Sequence, residues 1–315
     1  MEIKLKQFKK WLRDSTKYSL YLIGLLIFWA VVPAFSKLGN YNGLQKTFWI
    51  NGFAVVVLLL IFWVKRFFEK KVAENTISLF SLLKVSLVGI VWPFLYSILY
   101  FQSIYLGSPS LTTLIGRVNI LVYAPILVIA FKKKEALSRR DIILMTVSVI
   151  AVGIALSSNL NSNSIYLISI LMAFGATLAS GIYTAIAEIW RSKYSSLFFT
   201  LVIEFITFLF AAIFTFFTKS FIFPAGKDLF YLAFIGIFSN ALAFWFFLKG
   251  FQIATKLGNS HKVIFLVFQS SILTFAQITV IWLLKAESIS ITTVLGAVVL
   301  SLGLLWYGLS AKVKN

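Results

Sequence analysis

The chain has 315 residues, 60% of them hydrophobic and only 12% charged, with 33 Phe, 12 Tyr and 9 Trp and a net charge of +19. Soluble chains are about 45–50% apolar and about 25% charged, so a water-soluble fold is excluded and a polytopic membrane protein is indicated. Without Cys there is no disulfide, thiol nucleophile or Cys-ligated metal, and one histidine, His261, argues against a His-built zinc or haem site.

A helix crosses a hydrocarbon core about 30 Å thick with roughly 20 apolar residues. Ten stretches of the sequence meet that requirement. A basic segment, 1–17, precedes them; its Phe8, Trp11 and Leu12 share a helical face suited to an anionic membrane surface, the alternative being a frayed tail. The first span, 18–36, carries Pro33; it is read as uncleaved, although Ala34-Phe35-Ser36 loosely matches a signal-peptide cleavage site. The second covers 44–64. The third, 82–105, sets Trp92 beside Pro93 and Tyr96 one turn from Tyr100. The fourth, 110–131, contains Thr113, Arg117 and Pro125, and the fifth covers 141–157. The sixth, 165–190, includes Tyr183, and the seventh, 196–217, encloses Glu204. The eighth, 229–251, contains Asn240, Phe244 and Trp245. The ninth, 263–284, follows His261 and Lys262 and contains Gln269; the tenth, 289–309, leads into a tail, 310–315. Prolines lie within spans one, three and four; proline removes a helical hydrogen bond and tends to kink a helix, which makes these spans places for gating, although the sequence does not say whether they bend.

With the N-terminus inside, 23 Lys and Arg fall in inner segments and 5 in outer ones, Arg117 being within a span. That asymmetry is a positive-inside signal and places both termini in the cytoplasm. It also accounts for the charge without nucleic acid. The two halves resemble each other faintly. Phe101-Gln102 followed by Leu106-Gly107 answers Phe251-Gln252 followed by Leu257-Gly258, and Glu135-Ala136-Leu137-Ser138 answers Glu287-Ser288-Ile289-Ser290, at offsets of 150 to 152 residues. Two five-span units, 18–157 and 165–309, are therefore expected. An odd number of spans per unit inverts the second relative to the first, as in many secondary transporters.

Trp29 to Lys37 (Trp-Ala-Val-Val-Pro-Ala-Phe-Ser-Lys) resembles the Trp-Gly-…-Lys opening of the EamA-type drug/metabolite transporters, with Ala30 in place of the usual Gly. Leu178-Ala179-Ser180-Gly181-Ile182-Tyr183-Thr184 resembles the opening of that family's second repeat, with Gly181 where Trp is common. The two Glu-x-x-Ser connections, Gly153, Gly296 and Gly303 also fit. The resemblance implies an all-α membrane protein of ten transmembrane helices in two inverted five-helix repeats, with a central cavity lined mainly by helices one, three, four, six, eight and nine. It does not name a cargo, since the family carries amino acids, nucleobase-containing metabolites, sugar conjugates and organic cations. Leu257-Gly258-Asn259-Ser260-His261-Lys262 is faintly similar to the Asn-Lys motif of nucleotide-sugar carriers.

Arg117 is the leading candidate for substrate binding. A charge in the bilayer centre costs at least about 2.5–3.5 kcal/mol, so it must face protein or a wet cavity. It either pairs with a carboxylate such as Glu204 or grips a substrate carboxylate or phosphate through two parallel hydrogen bonds; the second reading is preferred, with Thr113 one turn away. Span nine offers Lys262 and Gln269 on one face, Gln269 either lining the cavity or bonding a neighbouring helix. His261 is either a proton-coupling group or an interfacial residue, and Trp92, Tyr96, Tyr100, Asn240, Trp245 and Tyr183 supply further lining. Glu204 is either a proton carrier, which would need burial, or a structural partner of a nearby cation or a lipid-facing residue; the structural or lipid-facing reading is preferred.

The expected function is a secondary transporter moving a small polar metabolite, an amino acid or other anion-bearing solute being favoured, by alternating access. The alternatives are a multispan membrane enzyme acting on lipid, or a channel. Neither clustered acids for catalysis nor a ring of charge for a filter is apparent. Expected partners are the small-molecule substrate and the bilayer, with a coupling proton or exchange metabolite and a homodimer as further options; no cofactor and no metal are expected. The Lys, Phe and Ile richness suggests a bacterial cytoplasmic (inner) membrane.

Overall fold

The computed structural model describes residues 2–68, 93–129, 139–158, 164–190, 195–257 and 259–311. Every regular element among them is helical. In lipid this is expected, since a helix satisfies its own backbone groups where water cannot.

The elements in chain order are α1 (Glu2–Ala30), α2 (Val32–Leu38), α3 (Gly43–Phe68), α4 (Pro93–Leu106), α5 (Pro109–Gly116), α6 (Ile120–Ile129) and α7 (Arg139–Ser157). Then come α8 (Ser164–Trp190), α9 (Ser196–Phe217), α10 (Gly226–Phe234), α11 (Phe244–Leu257), α12 (Asn259–Leu283) and α13 (Ile291–Ala311). Arg117–Asn119 is a short 3-10 turn between α5 and α6, and Ile235–Ala243 is a π-helical stretch between α10 and α11.

Six of the described helical stretches are long and apolar enough to cross a membrane: Thr16–Leu38, Gly43–Phe67, Arg139–Ser157, Ser164–Ile186, Ser196–Phe217 and Gly226–Ala254. Their outward faces carry large apolar side chains, among them Leu20, Leu60, Trp63, Leu171, Phe216 and Phe217. Contiguous apolar surface on this scale marks contact with lipid. The protein is an integral, multi-pass membrane protein.

Among the described residues the helices are interrupted at three places. Pro33 sits in the first turn of α2, and the helix breaks just before it at Val31. The second break lies at Val118, whose φ of −87° and ψ of 17° leave the helical range. Pro125, by contrast, lies inside α6, which is continuous over Ile120–Ile129. The third irregularity, the π-helical stretch, has no proline at all.

Packing follows a regular scheme. The strongest contacts are α3 on α9, α7 on α13 and α4 on α8; α1 packs on α11, on α12 and on the π-helical stretch. Gly236 and Gly296 show how closely some backbones approach. A Cβ at Gly236 would collide with the Ile50 carbonyl, and one at Gly296 would lie 2.5 Å from the Ala151 carbonyl. Small residues let membrane helices gain dispersion contacts that lipid cannot match. Ala179, Ala297 and Ser301 are likewise buried.

Helix ends are capped by local chemistry. Ser108 accepts a bond from Leu111 N at 3.0 Å, with Pro109 opening α5, and Ser290 accepts from Thr293 N at 3.2 Å at the start of α13. Both α9 and α12 close with a lysine in the left-handed region, Lys219 at φ 50° and Lys285 at φ 52°. Bonds from Ser220 N to Thr215 O and from Ala286 N to Ile281 O complete two Schellman-type ends.

Candidate functional site

Proline has no N–H, so Pro33 cannot give the bond that would close the helix onto the carbonyl of Trp29, four residues earlier. Buried carbonyls seldom stay unpaired. The bond comes instead from the ninth predicted span: Gln277 Nε2 donates to Trp29 O at 2.8 Å. The other end of the same amide, Oε1, accepts from Arg117 Nη2 at 2.6 Å. The sequence thus breaks α1 from α2 with a proline, and the exposed carbonyl orients the glutamine that holds the arginine.

Arg117 stands where α5 gives way to the 3-10 turn. Its Nε is buried and makes no hydrogen bond among the described residues. Tyr96 and Tyr100 are its electrostatic neighbours, with rings stacked at 5.5 Å and 25°. Thr113, nearly fully buried, lies beside Tyr100. No carboxylate pairs with Arg117 among the described residues. A guanidinium held by one neutral amide, with a donor to spare and two tyrosines alongside, can bind an anionic group.

Glu204, the carboxylate considered as its partner, belongs to a separate cluster. Its Oε2 accepts from Asn240 Nδ2 at 3.3 Å, and the same amide reaches Asn51 Oδ1 at 3.5 Å. Glu204 and Asn51 are buried, which does not fit the lipid-facing reading of Glu204, and the cation that a structural pairing needs is not among its partners in the described residues. The clusters are linked, because Ser239, next to Asn240, accepts on its carbonyl from Trp29 Nε1 at 2.9 Å and donates its hydroxyl to Phe28 O at 2.7 Å.

The remaining sequence candidates divide. Trp245 packs against the cluster of Ala54, Leu58 and Leu197, and Tyr183 against that of Phe199, Ile203 and Leu248. Trp92 and the side chains of His261, Lys262 and Gln269 lie outside the described residues. Among the described residues no group of three or more His, Cys, Asp and Glu could ligate a metal.

One end of the bundle adds residues that sequence reasoning had taken for loop charges or had not singled out. Lys37 Nζ donates to Gly107 O at 2.7 Å and to Ile104 O at 3.2 Å, capping the carbonyl end of α4. Glu287 Oε2 accepts from Ser110 N at 3.0 Å, which puts a negative charge at the amino end of α5. Lys46 is fully enclosed, with Nζ donating to Ser36 O at 2.5 Å and lying 5.4 Å from the centre of the Tyr105 ring. Gln277 was missed because it falls off the face shared by Lys262 and Gln269, eight residues rather than seven beyond Gln269. Pro33 was the available signal, since the carbonyl it strands needs a polar partner.

Residues 16–157 match the family model of the EamA-like transporter family, consistent with the drug/metabolite transporter superfamily, whose members are transporters. No curated protein matches. Fourteen solved chains do. One of these, a crystal structure, has a TM-score of 0.64 at 15% identity and covers 95% of this chain and 99% of that one; it speaks for the fold alone.

Proposed function

We propose, from the premise that residues 16–157 are EamA-like, that the protein is a secondary carrier moving a small solute with a carboxylate or other anionic group by alternating access. One observation carries the reading. Arg117, a positive charge in the fourth span expected from the sequence, is held by a neutral amide, and its Nε has no bond among the described residues. Charges in such places mark substrate or ion pathways by default.

Arg117 is the proposed anchor, Gln277 its positioning residue, and Tyr96, Tyr100 and Thr113 line the adjoining wall. Trp92, Lys262, Gln269 and His261 remain proposed lining from sequence alone. Asn240, Trp245 and Tyr183 are proposed to act at the second cluster and the packing around it.

The proposed architecture is ten spans in two inverted halves, 18–157 and 165–309. Packing supports this reading. Exchanging each span for the one five places on turns the contact of spans two and seven (α3, α9) into itself, and likewise that of spans five and ten (α7, α13). It turns the contact of spans three and six (α4, α8) into that of spans eight and one (α11, α1). Such a relation is what a two-fold axis in the membrane plane produces.

The test is uptake and counterflow in proteoliposomes with a panel of labelled amino acids, nucleotides and amines. Saturable exchange of at least one anionic or zwitterionic member is expected. Arg117→Ala and Arg117→Lys should lower that exchange on the order of tenfold or more, the loss of a charge-assisted bidentate contact, while purification yield is retained. Full exchange in both variants removes Arg117 as the anchor.

A further inference from the structure

Glu204 is an acid set eight residues into α9 and only 7% exposed. Its one bonded partner among the described residues is the Asn240 amide, at 3.3 Å. The elements packed on α9 are α3, α4, α11 and the π-helical stretch. They carry Lys46 near one end of α3 and Lys65 and Arg66 near the other, Tyr96, Tyr100 and Tyr105 on α4, and Lys249 and Lys256 on α11, while the π-helical stretch has no titratable group. Among the described residues none of these pairs with Glu204.

An ionised carboxylate buried without a cation is held at a desolvation cost of several kcal/mol. A bound proton removes that charge. A metal ion fits poorly, because Asn240 turns an N–H donor towards the carboxyl. Thr207, on the same face of α9 and 1% exposed, adds a hydroxyl with no partner among the described residues. The π-helical geometry that carries Asn240 is a form found frequently at functional sites.

Glu204 is also connected. Asn240 follows Ser239, whose carbonyl accepts from Trp29 Nε1; Trp29 O accepts from Gln277 Nε2, and Gln277 Oε1 accepts from Arg117. A shift of the π-helical stretch as the carboxyl gains or loses charge would move Trp29 and, through Gln277, the guanidinium.

We propose that Glu204 is the site that takes up and releases the proton driving transport, and that its state reaches Arg117 along the Asn240–Ser239–Trp29–Gln277 path. This rests on the carrier reading, so it is tested without cargo. Infrared spectra of the full chain in nanodiscs, titrated from about pH 5 to about pH 9, should show a protonated-carboxyl C=O band that fades with rising pH. Glu204→Gln should lack that band and Glu204→Asp should keep it at a shifted frequency. Identical titrating bands in wild type and Glu204→Gln overturn the site.

The path is tested in the same preparation, since the chain has no cysteine of its own. Thr113→Cys should react with a maleimide at a rate that changes with pH on the order of threefold or more, after normalisation to the unfolded protein, which removes the thiol's own ionisation. Adding Glu204→Gln or Gln277→Leu should abolish that change; its survival in Gln277→Leu overturns the path. Failure of uptake across the whole panel with an intact infrared titration would count against the carrier reading, and the reverse result against the proton site alone.

Discussion

Lys46 is among the largest side chains fully enclosed by the protein in the described residues. Its amino group is accommodated there because Nζ donates a hydrogen bond to the Ser36 carbonyl at 2.5 Å and lies 5.4 Å from the centre of the Tyr105 ring. Lys46→Met would keep most of the methylene packing and leave that carbonyl without its donor. A loss of about 1–3 kcal/mol is expected, the cost of an unsatisfied buried polar group, read as a lower Tm in detergent. Lys46→Ala should cost more, because it adds a cavity. An unchanged Tm in Lys46→Met would mean the bond contributes nothing to stability. Position alone could not have disclosed this residue: a lysine two residues into a predicted span resembles an interfacial charge, and only the fold of Ser36 and Tyr105 over it removes it from solvent. Arg117 was legible for the opposite reason, lying too deep in an apolar run to reach water.

At the scale of the helix, Pro33 and Gln277 make a matched pair. Gln277→Leu leaves the Trp29 carbonyl without a donor and releases Arg117, so a lower Tm is expected. Pro33→Ala restores the N–H at position 33, which could then bond Trp29 O within a continuous helix. In the double variant the loss from Gln277→Leu should therefore be smaller than in the single one, by about 1 kcal/mol, as coupling energies between residues sharing a partner run. Strict additivity in this thermal-unfolding cycle would refute the shared carbonyl. The two Schellman-type ends offer a second check. Lys219 and Lys285 adopt a left-handed conformation that costs roughly 1–2 kcal/mol for a residue with a Cβ. Lys219→Gly and Lys285→Gly should each raise Tm, and a fall in both would show that the lysine side chains bond something worth more than the strain. Pro33 announced a break from sequence, whereas the break at Val118 and the π-helical stretch at Ile235–Ala243 carried no comparable local mark.

For the whole molecule, the proposed inversion makes a topological prediction. Single cysteines at Ser138 and Ser290 should react with an impermeant maleimide from opposite sides of the membrane, Ser138 from the cytoplasm. Labelling from the same side would discard the two-fold relation together with the site proposed near it. Lys37 and Glu287, drawn from opposite ends of the sequence, hold neighbouring helix ends at 107 and 110. Removing one charge, as in Glu287→Gln, should loosen that end of the bundle and speed labelling of a cysteine at Ser110.

What the sequence determined by itself was the class of solvent and the kind of element. Burial in lipid demands long apolar helices, and 60% hydrophobic composition with ten such runs admits little else. It also singled out Arg117, Glu204 and Pro33, because a charge or a missing N–H stands out against an apolar helix whatever surrounds it. Partners were decided only in three dimensions. Arg117 meets Gln277 rather than Glu204, Glu204 meets Asn240, and Lys46 is sealed in, because these contacts join residues far apart in the chain whose rotation and height depend on how helices cross. Hydrophobic period cannot convey that, since a helix in lipid is apolar on most of its circumference and its buried face carries no separate signature.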